Sequence, residues 1–198
     1  MDAVAIGLTA FGLAILAGSI AGASRGTIPS AEQRVFGAVN GLPNWLYRVL
    51  WLPMQLGNLV VGTVAGLVAA AAYRSWPMAA AVMAAMMLKL VVERVVRSRM
   101  AGFSAVRQRP AVSEPGAILR GDVPEAGASF PSGHVILVAA IACVVAGFIP
   151  GVLIWAPVVL ISAVMLGRVY VGAHNPLDVT GGLGAGLLTG GLLLLLVR

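Results

Sequence analysis

The sequence predicts an all-α fold: a single domain over residues 1–198, built as an integral membrane bundle of six transmembrane helices. Three observations carry this expectation. Of the 198 residues, 60% are hydrophobic and only 10% charged, with a mean hydropathy of +0.97; a soluble domain carries about 25% charged residues. The apolar residues gather into six long runs, each close to the roughly 20 residues that a bilayer span requires. Nearly all the charges fall between or at the ends of those runs.

The elements follow in order. The first span is expected at residues 3–23. A cleaved secretory signal fits this run poorly, because Asp2 is the one charge before Arg25 and a positive leading segment is missing. A more polar stretch, 24–47, is broken by Pro29 and Pro43. It is expected to hold a short amphipathic helix over 31–39, with Val35, Phe36 and Val39 on one face. The second and third spans are expected at 54–73 and 77–96, joined by a tight turn at Arg74–Pro77. The longest polar segment follows, from Arg97 to Phe130, with three prolines and eight of the twenty charged residues. Loops of this length are functional or disordered. The fourth, fifth and sixth spans are expected at 132–149, 152–170 and 176–197. In the last, Gly182, Gly186 and Gly190 recur every four residues, a spacing that lets helices approach closely.

Charge and cysteine content narrow the function classes. The net charge is +6, yet the arginines flank the apolar runs. Anionic lipid headgroups in the bilayer are therefore the expected partner rather than nucleic acid. Cys143 is alone in an apolar run, which excludes an intrachain disulfide. Self-association into a homo-oligomer is left open.

Both histidines of the chain sit at the edges of apolar runs, in the stretches P-S-G-H (131–134) and R-V-Y-V-G-A-H-N-P-L-D (168–178). Two crossings separate them, so they lie on the same side of the membrane. An odd number would part them by about 30 Å. Ser132 is a good helix N-cap. Gly133 and His134 then fall in the first turn, where free N–H groups and the helix dipole favour an anion. In the second stretch Arg168, His174 and Asp178 form R-x5-H-x3-D. Asn175 is an expected N-cap, with Pro176 at the first helical position. Asp178 is then placed to reach one nitrogen of His174, leaving the other free to attack. The arginine offers a forked donor to phosphate oxygens. Competing explanations are a capping box between Asn175 and Asp178 and a snorkelling Arg168.

Taken together, P-S-G-H followed by R-x5-H-x3-D resembles the type 2 phosphatidic acid phosphatases, over roughly residues 60–198. The resemblance implies six membrane helices and three motifs. P-S-G-H matches the second in full. The third ordinarily begins Ser-Arg, and here reads Gly167–Arg168. The first, K-x6-R-P, departs from the pattern. Lys89 is the only lysine; Arg97 stands eight residues on, followed by Ser98, and the only Arg-Pro pair is Arg109–Pro110. Arg109 is preferred over Arg97 as the partner, with an insertion between it and Lys89. A helical salt bridge from Lys89 to Glu93 competes with a ligand role for the lysine.

The resemblance implies hydrolysis of a phosphate ester or diphosphate carried on a lipid. His174 would be the nucleophile, forming a phosphohistidine, with Asp178 orienting it and His134 protonating the leaving group. Lys89, Arg109, Arg168 and the Ser132–Gly133 amides would hold the phosphoryl oxygens. No metal and no other cofactor is expected, since several cations surround the site and carboxylates are few. The lipid phosphate substrate is expected to be phosphatidate, phosphatidylglycerol phosphate or a polyprenyl phosphate or diphosphate. By parity the site-bearing side holds ten arginines and the other only Arg74 and Arg198. The positive-inside rule then turns the site toward the cytoplasm of a bacterial inner membrane. A silent lipid-phosphate binder and a lipid phosphotransferase are the alternatives.

Overall fold

The computed structural model describes residues 2–100, 107–149, 151–153 and 155–197, whose regular elements are helices, with no strand among them. In chain order the helices are α1 (Asp2–Ala23), α2 (Ser30–Asn40), α3 (Leu46–Gln55), α4 (Leu59–Ala72), α5 (Trp76–Met100), α6 (Pro110–Ser113), α7 (Gly133–Ala146), α8 (Trp155–Tyr170) and α9 (Pro176–Leu196). A single 3-10 turn, Gly151–Leu153, precedes α8.

The centre of the bundle is α7. Every residue from Val135 to Val144 is buried. One flank of α7 packs with α4 and α5 through Leu137, Ile141, Val82 and Met78. Another packs with α8 and α2 through Val138, Val164, Ile161 and Phe36. Helix α9 closes the third side and is itself covered by α1.

This packing depends on residues that lack a side chain. A Cβ at Gly186 would stand 2.5 Å from Ala139 Cβ, and one at Gly190 would stand 2.6 Å from Cys143 Cβ. The four-residue glycine spacing of the sequence therefore lies against α7. On the opposite side of α9, a Cβ at Gly184 would stand 2.5 Å from the Leu16 amide nitrogen. Helix α9 is thus sandwiched at backbone distance between α1 and α7, where close approach replaces side-chain interdigitation.

Large apolar side chains on α1, α4, α5 and α8 point outward, among them Phe11, Leu13, Val60, Val68, Met87, Val91 and Val159. Such a belt suits lipid rather than water. Exposed Trp76 and Trp155 start α5 and α8, while Trp45 and Trp51 mark α3; tryptophan favours the membrane–water interface. The chain is a membrane protein.

By helix length and composition the six expected spans are met in part. Among the described residues, two helices are long and apolar enough to cross a membrane, α1 and α9, and a third crossing is possible if α3 and α4 count as one broken span. Helices α7 and α8 have only 14 and 16 residues. The span expected at 54–73 corresponds to α4, which begins at Leu59 and is bent by 66° from α3 before it. Pro53 lies in the last turn of α3, and Asn58 restarts the helix, its side-chain oxygen accepting from the Val60 and Val61 amides at 3.0 and 3.3 Å. The amphipathic helix expected at 31–39 is α2, but of the expected face only Phe36 is buried and Val35 is exposed.

The glycine packing gives a matched test. Ala at Gly18, which has nothing within 4 Å of an added Cβ, gains helix propensity worth about 1 kcal/mol without a clash. Ala at Gly186 gains the same propensity but meets α7. Thermal unfolding in detergent is expected to show Gly18→Ala at or above the wild-type midpoint and Gly186→Ala clearly below it.

Candidate active site

The two histidine stretches are clasped together through Asp178. Ser132 caps α7 and Asn175 caps α9, with Pro176 in the first turn of the latter. The Ser132 amide donates to the Asp178 carbonyl oxygen at 3.0 Å, which ties the start of α7 to the first turn of α9. The Asp178 carboxylate is fully buried. Its Oδ1 accepts from Arg107 Nε at 2.8 Å, and its Oδ2 accepts from the Asn175 amide at 2.8 Å and from the Ser129 hydroxyl. Arg107, 1% exposed, also pairs with Glu32 of α2, whose carboxylate accepts from the Leu177 amide at 2.8 Å. Burial pulls the Arg107 pKa down, but the charges of Asp178 and Glu32 outweigh it and leave it raised.

In front of this clasp lies a cavity of about 570 Å³. Lys89, Arg97, Arg109, His134, Arg168 and His174 all line it, with Gly133 of the first turn of α7 and Glu93 of α5. Arg109 is held by the chain it faces, donating from Nη1 to the Ala173 carbonyl at 3.0 Å. Burial, with the charge of Arg97, lowers its pKa. His174 sits outside the helices, in the turn between α8 and α9. Its pKa is depressed well below the ordinary value by burial, then by Arg168 and Arg109, so the imidazole is neutral at neutral pH. A neutral imidazole has a free lone pair for attack. Among the described residues, Arg109 Nε, Arg168 Nε and Ser132 Oγ are buried with no hydrogen-bond partner.

Of the residues expected from the sequence, Lys89, Arg109, Gly133, His134, Arg168 and His174 share this one cavity. Ser132 and Asp178 lie behind it. Two expected roles are corrected. The Ser132 amide is not free to bind an anion, because the Asp178 carbonyl occupies it. Asp178 does not hydrogen-bond His174: its Oδ2 is 3.9 Å from Nδ1, beyond bonding distance, since Arg107, Ser129 and the Asn175 amide take up the carboxylate. The competing capping interaction of Asp178 on the Asn175 amide is present, as is the Lys89–Glu93 salt bridge at 2.6 Å. Arg97 and Arg109 both reach the cavity, Arg97 while paired to Glu93 at 2.6 Å.

Sequence reasoning missed Arg107, Glu32 and Ser129. Arg107 carried a readable signal. It stands two residues before Arg109 in an extended segment, where Gln108 pairs with Ala128 and the Ser129 amide donates to the Arg107 carbonyl at 2.9 Å. Alternate residues of an extended chain share a side, so both arginines turn toward residues 173–178. Glu32 carried no such signal, being remote in sequence from everything it touches. Arg120, by contrast, is consumed structurally. It donates to the carbonyls of Asn40, Tyr170 and Leu42 at 2.8–3.1 Å and stacks 4.2 Å above the Tyr170 ring.

Removing Arg107 strands the fully buried Asp178 carboxylate and takes an ion pair from the partly buried Glu32. Losing one partner of a buried ion pair costs about 3–5 kcal/mol, so Arg107→Met is expected to lower the thermal midpoint in detergent far more than Arg25→Met at an exposed position.

Comparison with known proteins bears on this arrangement. No curated protein sequence matches the chain. Two solved structures share its fold. The crystal structure of LpxE from Aquifex aeolicus matches with a TM-score of 0.70 and 22% identity, covering 81% of this chain and 93% of that one. The transmembrane PAP2-type phosphatidylglycerolphosphate phosphatase of Bacillus subtilis matches with a TM-score of 0.67 and 22% identity, covering 96% and 93%. The sequence profile of the PAP2 superfamily matches residues 74–198, a stretch that holds the whole cavity wall from α5 onward. This chain belongs to the PAP2 superfamily.

Proposed function

We propose that this protein is a membrane phosphatase that hydrolyses the terminal phosphate of a lipid phosphate or diphosphate through a phosphohistidine. The single observation that carries the reading is the convergence of His134 and His174 with Lys89, Arg109 and Arg168 on one cavity. The family assignment supports a phosphatase, and the lipid-facing helices support a substrate with apolar tails.

The mechanism follows from the groups at hand. The cations neutralise the phosphate as it enters and hold its oxygens as charge shifts in the transition state. Neutral His174 attacks phosphorus with its ring nitrogen while the bond to the leaving oxygen breaks. The negative phosphate favours protonation of the nearby His134, which passes its proton to that leaving oxygen. Water then attacks the phosphohistidine, gives its proton back to His134, and releases inorganic phosphate. Asp178 acts here through position rather than through a direct hydrogen bond. It anchors the turn that carries His174 and fixes that turn against the start of α7.

Three measurements test this reading. Purified protein in detergent is assayed for phosphate release against phosphatidate, phosphatidylglycerol phosphate and polyprenyl mono- and diphosphates. At least one is expected to turn over, and His174→Ala is expected to abolish both turnover and the acid-labile phosphoenzyme. Wild-type release with no change in His174→Ala would sink the nucleophile assignment. His134→Ala is expected to lower kcat by about 10²–10⁴-fold, the ordinary contribution of a general acid. An excess of chelator is expected to leave the rate unchanged, because arginine and lysine side chains supply the positive charge.

A further inference from the structure

Lys89, Glu93 and Arg97 stand four residues apart on α5 and so share one helical face. Glu93 bridges the other two: Oε2 is 2.6 Å from Lys89 Nζ and Oε1 is 2.6 Å from Arg97 Nη2. All three line the cavity. The Lys89 and Glu93 side chains are each only 15% exposed, unlike a solvated pair on an outer helix face. The carboxylate also reaches the start of α7. A Cβ placed on Gly133 would stand 2.6 Å from Glu93 Oε2 and 2.9 Å from Lys89 Cε. First-turn amides of a helix lack intrahelical acceptors and attract anions. Glu93 therefore keeps the company that an anionic ligand would keep: an ammonium, a guanidinium and a helix N-terminus.

We propose that Glu93 is a built-in counter-anion that competes with the substrate phosphate for Lys89 and the first turn of α7, and so sets which headgroup charge the site accepts. This rests on the reading of the cavity as a phosphate site. Glu93 is a specificity-determining residue rather than a catalytic one, because it acts through the two cations it holds. An arriving phosphate must displace the carboxylate from Lys89 or bind beside it. In either case the penalty grows with the charge of the ligand. A diphosphate is therefore penalised more than a monophosphate, and the carboxylate tilts selection toward the less charged group.

The test is calorimetric titration of orthophosphate and pyrophosphate into the full chain in detergent, at fixed pH and ionic strength, for wild type and Glu93→Gln. Gln keeps the length of the side chain and removes its charge. The variant is expected to bind orthophosphate roughly 3- to 10-fold more tightly and to gain more for pyrophosphate, as the Coulomb relation requires. Glu93→Asp, which keeps the charge but withdraws it by one methylene, is expected to fall between the two. Unchanged or weaker orthophosphate binding in Glu93→Gln overturns the proposal. An equal gain for both ligands overturns it too, and so does an absence of binding in both proteins. Binding is read without turnover. Wild type that binds orthophosphate but releases none from lipids therefore sinks the phosphatase reading alone. Wild type that hydrolyses lipid phosphates, with binding indifferent to Glu93→Gln, sinks this proposal alone.

Discussion

The site depends on the ion pair between Arg107 and Asp178. A carboxylate with no exposure survives only if every lone pair is met and its charge is balanced. Arg107 balances it, and Ser129 with the Asn175 amide completes the shell. The Asp178 main-chain oxygen accepts from the Ser132 amide. One aspartate thus joins the polar loop, the turn carrying His174 and the start of α7. The cavity cations stand in front of a wall whose own charges are already satisfied, which leaves Arg109 and Arg168 with donors to spare.

Around that wall the bundle supplies rigidity by backbone proximity. Helix α9 carries Asp178 at one end and glycines along two faces, so its position relative to α7 and α1 is set by main-chain contact. The break between α3 and α4 does a different job. It places Gly57 against His134, where an added Cβ would stand 2.7 Å from the histidine Cβ, and it brings Trp51 and Asn58 to the cavity rim.

How much of this was legible in the sequence follows from the range of each interaction. The helical class, the small-residue face of α9 and the shared side of both histidines are set by periodicity and span order, which local sequence records. His134, His174, Arg168 and Lys89 were legible because their spacing makes a pattern. The partners of Asp178 were not, since a carboxylate near a histidine reads equally as an orienting group or as a cap. Only the tertiary approach of Arg107 from 71 residues away decides where its oxygens point. The same holds for Ser132, whose side chain signals a cap while its amide is claimed by α9. The bend between α3 and α4 was not legible, because Pro53 falls just before the expected span and Asn58 inside a largely apolar stretch.

The order of synthesis gives the Asp178 clasp a further meaning. Arg107, Ser129, Ser132 and Asn175 all leave the ribosome before the carboxylate that gathers them. Until it emerges, Arg107 has the Glu32 ion pair but not that of Asp178, and the start of α7 has nothing from α9 to dock against. The wall behind the cavity therefore closes only once the start of α9 has been made. A nascent chain stalled upstream of this aspartate has Arg107 but not the carboxylate that fixes it beside the cavity.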